Sequence, residues 1–136
     1  MKIGLFADAH YCHADVLCGT RRPSLSLSKI REAMDVFREA SVDTCICLGD
    51  LTDHAPKDTK EDVLACFHEA LDVIRSYNIP FYLVPGNHDY LMMTADELFE
   101  AGIKLWNALF GKQPEHSVTL WRKIPLNGVC KSVKCG

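Results

Sequence analysis

Residues 81–89, F-Y-L-V-P-G-N-H-D, decide how the rest of the chain is read. Phe81, Tyr82, Leu83 and Val84 form an apolar, mostly β-forming run, too continuous for a half-exposed strand, and Pro85-Gly86 stops it. A carboxamide, an imidazole and a carboxylate follow at once, on Asn87, His88 and Asp89. Open α/β sheets bind ligands just beyond the carboxyl ends of their strands, so these groups stand where chemistry is expected.

Working outward, two more apolar runs end in the same manner. Residues 2–7 (K-I-G-L-F-A) lead into Asp8-Ala9-His10, and residues 44–48 (T-C-I-C-L) lead into Gly49-Asp50, with Asp53 three positions on. Between these runs Ile30, Ala33, Met34, Phe37 and Ala40 recur at helical spacing, which predicts a helix over 28–41. Val63, Leu64, Phe67, Leu71 and Ile74 make a second stripe, with Thr59 as N-cap and Asp62 completing a weak capping box, for a helix ending near Tyr77. Two successive strand-helix-strand units imply an α/β fold with a parallel sheet and right-handed crossovers. All three polar loops then open at one edge of the sheet. Further on, Thr94 and Glu97 read as a capping box for helix extending to Phe110, and a short strand over 118–121 is expected within a tail of irregular composition. The domain reading is a body over 1–110 and an atypical tail over 111–136.

At 136 residues, 48% apolar and 24% charged, the chain has the composition of one ordinary globular domain. Its net charge of -3 provides no basic field for an extended nucleic-acid surface. The amino-terminal apolar run is cut by Asp8, too early for a secretory signal or a membrane span, so a cytoplasmic location is expected. Seven cysteines include no C-x-x-C pair. Cys45, Cys47 and Cys66 fall on apolar strand or helix positions and read as small buried hydrophobes, while any redox or metal role would fall mainly to Cys12, Cys18, Cys130 and Cys135.

The three strand ends together offer Asp8 with His10, Asp50 with Asp53, and Asn87 with His88 and Asp89. If the strand pleat continues, a D-x-H pair turns both side chains the same way and gives one metal an oxygen and a nitrogen. Asp50 can use one carboxylate oxygen per ion where two cations lie about 3.5–4 Å apart, with Asn87 supplying an amide oxygen to the second. Such mixed ligation suits Mn, Fe or Zn better than an all-oxygen Mg or Ca site.

D-A-H at 8–10, G-D-L-T-D at 49–53 and G-N-H-D at 86–89 resemble, in order, spacing and strand context, the first three sequence blocks of the calcineurin-like metallophosphoesterases. The resemblance covers about the first hundred residues. It implies the first half of a four-layer α/β/β/α sandwich and a hydrolase of phosphoric esters that uses a hydroxide activated by two divalent metals. Carried across, Asp8 and His10 bind one metal, Asp50 bridges both and Asn87 binds the other. His88 would be the acid at the leaving oxygen, Asp89 would orient its ring, and Asp53 would hold its loop. His-Tyr at 10–11 and R-R-P-S-L-S-L-S-K at 21–29 are similar to the branch acting on nucleotide diphosphates and cyclic nucleotides. A small phosphoester or nucleotide is therefore the expected substrate, with no membrane partner.

The sequence departs from the family in its second half. No G-H-x-H block is present, and His116, within E-H-S, is the sole histidine after His88. The chain thus reads as an amino-terminal half from a truncated or frameshifted gene, and its alternative function is an inactive remnant that binds metal weakly or needs another chain to complete the site. Self-association through an uncovered sheet face is expected in that case. Arg21 and Arg22 read as solvated loop cations in preference to phosphate contacts, and His13, His54 and His68 as surface histidines. Tyr11 and Tyr90 are left open between pocket and packing, Trp106 and Trp121 between core and an exposed apolar patch.

Overall fold

Each apolar run forms a strand in the computed structural model, which describes residues 1–94 and 96–98. Strand β1 is Ile3–Phe6, β2 is Thr44–Cys47 and β3 is Phe81–Leu83, in one parallel sheet of order β1-β2-β3. Gly4 stands opposite Cys45, and Cys45 opposite Phe81. Helix α1, Ser26–Glu39, follows a short 3-10 turn at Pro23–Leu25, and helix α2 is Lys60–Arg75. The α2 cap is a complete capping box: Thr59 Oγ1 accepts from Asp62 N, and the Asp62 carboxylate accepts from Thr59 N at 2.8 Å. Thr94 and Glu97 exchange the same pair of bonds, as their spacing predicts. The expected continuation to Phe110, the strand at 118–121, the 111–136 tail, Trp106, His116, Trp121, Cys130 and Cys135 lie outside the described residues.

One expectation is corrected. The continuous apolar runs predict strands buried on both faces, yet Ile3 and Leu5 of β1 and the flanking Leu48 and Val84 are exposed. The cause is topological. With strand order β1-β2-β3 and crossovers of the usual right hand, both helices are carried to the same side of the sheet, and α1 indeed packs against α2. That side holds the core: Cys45, Cys47, Phe81 and Leu83 from the sheet, Ile30 and Met34 from α1, and Val63, Cys66, Phe67, Ala70, Leu71 and Ile74 from α2. Cys45 Sγ lies 4.0 Å from Met34 Sδ. Burial raises the thiol pKa of Cys45 and Cys47 to about 12 and of Cys66 to about 11, so these sulfurs serve as packing atoms. Cys12, one of the cysteines that sequence left open to a redox role, is fully buried too, and burial raises its pKa.

Two backbone details fix how α1 meets the sheet. Gly4 lies under the Phe37 ring, where an added Cβ would stand 2.7 Å from Cγ. At the other end α1 closes with the bonds of a Schellman motif, Ser41 N to Arg38 O and Val42 N to Phe37 O, both 3.0 Å, and Ser41 takes a left-handed φ of 52°. Gly4→Ala is expected to lower stability by about 1–3 kcal/mol through overpacking. Ser41→Gly is expected to raise it by about 0.5–1 kcal/mol, the left-handed penalty less the entropy of glycine. Both are read as shifts of the urea unfolding midpoint at unchanged slope.

Candidate metal centre

The loops after the three strands are laced together before any side chain is considered. Asp8 N donates to Gly49 O, His10 N to Asp50 O, Tyr11 N to Leu51 O, and Asp53 N back to Tyr11 O, all at 2.9–3.0 Å. Hydrogen bonding between β1 and β2 therefore continues into the loops after the regular strands have ended. The third loop is tied to the second by side chains. Asp89, fully buried, accepts from Thr52 N at 3.0 Å and Thr52 Oγ1 at 3.1 Å on Oδ1, and from Gly86 N at 2.9 Å on Oδ2. Asp50 Oδ1 accepts from His88 N at 2.9 Å. Glycine makes the approach feasible: a Cβ on Gly86 would overlap Asp50 Oδ1, and one on Gly49 would stand 2.9 Å from Gly86 Cα.

Asp8, His10 and Asp50 adopt φ of 56°, 49° and 52°. The pleat argument for the D-x-H pair is thus corrected, since β1 ends at Phe6 and both residues sit past it in left-handed turns. The turns still converge the side chains. His10 Nε2 lies 3.7 Å from Asp8 Oδ1 and 3.9 Å from Asp50 Oδ2, and ligand atoms of His10, Asp50 and His88 lie within 4.8 Å of one another. The His10 and His88 rings meet edge to face, 4.6 Å between centroids. None of these gaps is a hydrogen bond. Two donors each about 2.0–2.2 Å from one cation stand about 3–4 Å apart, so the spacing suits a shared ion better than direct contact. The donor set of imidazole nitrogen and carboxylate oxygen suits Mn, Fe or Zn.

Asp53 supports the cluster from behind. It is buried, with Oδ1 3.0 Å from His88 Nδ1 and Oδ2 3.2 Å from His10 Nδ1, the latter close but off hydrogen-bonding line. Arg21 Nη1 donates to Oδ2 at 2.8 Å. Burial alone would raise the Asp53 pKa; the His54 backbone N–H and then the His88 ring override it and hold the carboxyl below its ordinary value. Asp53 is thereby an acceptor, and His88 Nδ1 must carry the proton between them. The Nε2 atoms remain for the cluster.

Of the residues singled out in the sequence, Asp8, His10, Asp50 and His88 come together. Asn87 is exposed beside them and makes no hydrogen bond among the described residues. The role given to Asp89 is corrected: both its oxygens are occupied by Thr52 and Gly86, and Asp53 is the carboxylate at the His88 ring. Arg21 is an ion-pair partner of Asp53 instead of a solvated cation. Thr52 was missed, although its place between Asp50 and Asp53 in G-D-L-T-D was the one signal for it. Tyr11 resolves to packing, buried with its hydroxyl donating to Glu69 Oε2 at 2.5 Å, and burial followed by that carboxylate raises its pKa. His13 is a surface histidine on Glu69, and His68 is exposed.

With this geometry the chain is similar to a dimetal phosphatase from Danio rerio, at a TM-score of 0.62 and 22% identity over 72% of this chain; the chain spans 32% of the length of that structure. That likeness shows the fold. No curated protein matches the sequence. The family model for calcineurin-like phosphoesterases matches residues 1–132, nearly the whole chain, and the chain belongs to that family.

Proposed function

We propose that the protein is a metal-dependent hydrolase of phosphoric esters, with the edge of the sheet at Asp8, His10, Asp50 and His88 as its reaction centre. The observation that carries the reading is the convergence of His10, Asp50 and His88 donors to within 4.8 Å on three separate loops. Membership of the phosphoesterase family supports it. Asp8, His10 and Asp50 would hold one divalent ion, and Asp50 with the exposed Asn87 amide would address a second. When bound, Mn, Fe or Zn supplies Lewis acidity to the phosphoryl oxygens and activates water for attack.

The chain's own residues do the rest. With Nδ1 held against Asp53, the His88 Nε2 is left for the centre, where a protonated imidazole would donate to the departing oxygen. Asp89 holds the loop that presents His88 through its bonds to Thr52 and Gly86. The substrate is a small phosphomonoester or phosphodiester, and the setting is cytoplasmic. Among the described residues no helix is long and apolar enough to cross a membrane. The exposed apolar face at Ile3, Leu5, Leu48 and Val84 favours a second reading, in which another chain packs there and completes the site. A monomer on size exclusion that binds two ions tightly would rule that reading out.

Purified protein with Mn²⁺ is expected to hydrolyse bis(p-nitrophenyl) phosphate, to stop on chelation and to resume when Mn²⁺ is restored. Asp50→Ala is expected to reduce turnover to background with the fold intact by circular dichroism. A folded, metal-loaded wild type without turnover on aryl mono- or diesters would overturn the proposal. Asp53→Asn removes the anion behind both imidazoles and is expected to weaken Mn²⁺ binding by about 10–100-fold in calorimetry.

A further inference from the structure

The two imidazoles of the metal centre share one carboxylate and are not served alike. His88 Nδ1 has a hydrogen bond with Asp53 Oδ1 at 3.0 Å. His10 Nδ1 stands 3.2 Å from Asp53 Oδ2 but off line, sealed from solvent and with no hydrogen bond among the described residues. That same oxygen is already held by Arg21 Nη1 at 2.8 Å. An imidazole that binds a cation through Nε2 carries its remaining proton on Nδ1, so His10 would face its nearest acceptor with a buried donor it cannot use. The Asp53 side chain is 5% exposed and that of Arg21 41%, so the guanidinium can be given back to water and the carboxylate cannot. The loop does not need that side chain for its shape, since Arg21 N and O are both bonded to Leu17 at 3.0 Å.

We infer that Arg21 is a positioning residue that lowers the metal affinity of the centre by withholding Asp53 Oδ2 from His10. The inference deepens the proposed hydrolase reading and rests on it, because it takes His10 as a ligand through Nε2. A carboxylate that accepts from the far nitrogen of a ligating histidine fixes its tautomer and raises its basicity. His88 has that support and His10 lacks it. Without the guanidinium, Asp53 Oδ2 is free to turn onto His10 Nδ1. The guanidinium also pairs a buried carboxylate, so stability and cation affinity oppose each other at this one side chain.

The test is calorimetric titration of the metal-stripped full chain with Mn²⁺, in the wild type, Arg21→Ala, Arg21→Lys and Arg22→Ala. Thermal unfolding of each is recorded, and the His10 ring nitrogens are followed by NMR in the diamagnetic Zn²⁺-loaded chain. Arg21→Ala is expected to bind Mn²⁺ about tenfold more tightly, to unfold at a lower temperature, and to move the His10 Nδ1 proton downfield through its new bond. A residue that only braced the loop would lower affinity together with stability. Arg21→Lys, which restores a cation at Oδ2, is expected to return affinity toward the wild type. Arg22→Ala removes an exposed charge at the next position that does not pair with Asp53, and is expected to leave affinity unchanged. An equal rise in both alanine variants makes charge alone the cause and overturns the inference. A wild type that binds Mn²⁺ and turns over bis(p-nitrophenyl) phosphate, beside an Arg21→Ala that binds the ion no more tightly, overturns the role of Arg21 and leaves the hydrolase reading standing. A folded wild type that neither binds Mn²⁺ nor turns over the diester overturns both.

Discussion

The Asp89 carboxylate is the constraint on which the site depends. An acidic side chain with no exposure is costly to bury unless hydrogen bonds replace its water. Asp89 has three, from Thr52 N, Thr52 Oγ1 and Gly86 N, and they come from two different loops. Every donor that satisfies it also positions something useful, because Thr52 follows Asp50 by two residues and Gly86 precedes His88 by two. The side chain that never reaches the candidate metal centre therefore sets the relative position of two that do.

Close backbone approach works in the same direction. Gly49 and Gly86 touch where any Cβ would collide, and this contact lets Asp50 Oδ1 accept the His88 amide. The loop after β1 joins them through its ladder of backbone bonds to residues 49–51. Three loops that could each have floated at the sheet edge are instead parts of one bonded unit, and Asp53 adds an anion behind both imidazoles.

Much of this was legible in the sequence, and the reasons it was are local. The strands of the sheet and both helices follow from apolar periodicity, and Thr59 with Asp62 marked the start of α2 because a capping box is written in residues three apart. The ligand candidates were legible because they sit at strand ends. What lay beyond reach depends on distance in space. Whether Asp53 or Asp89 faces the His88 ring turns on contacts 35 or more positions apart along the chain, and neither letter differs in kind. Arg21 gave no sign of its partner, since a long side chain in a loop can point almost anywhere. The one-sided cover of the sheet follows from strand order and crossover hand, which a continuous apolar run does not encode.

The left-handed torsions at Asp8, His10 and Asp50 have a consequence for how such a chain changes over generations. Each holds an L-residue where the backbone is disfavoured by roughly 1–2 kcal/mol, and helix capping, which explains Ser41, does not apply to these three. A lineage released from the need to hold a cation there would find glycine at those positions easier to fold, so drift would erase the ligands quickly. At these three positions backbone comfort and donor chemistry are opposed, so a glycine that eased the fold would remove a candidate metal ligand.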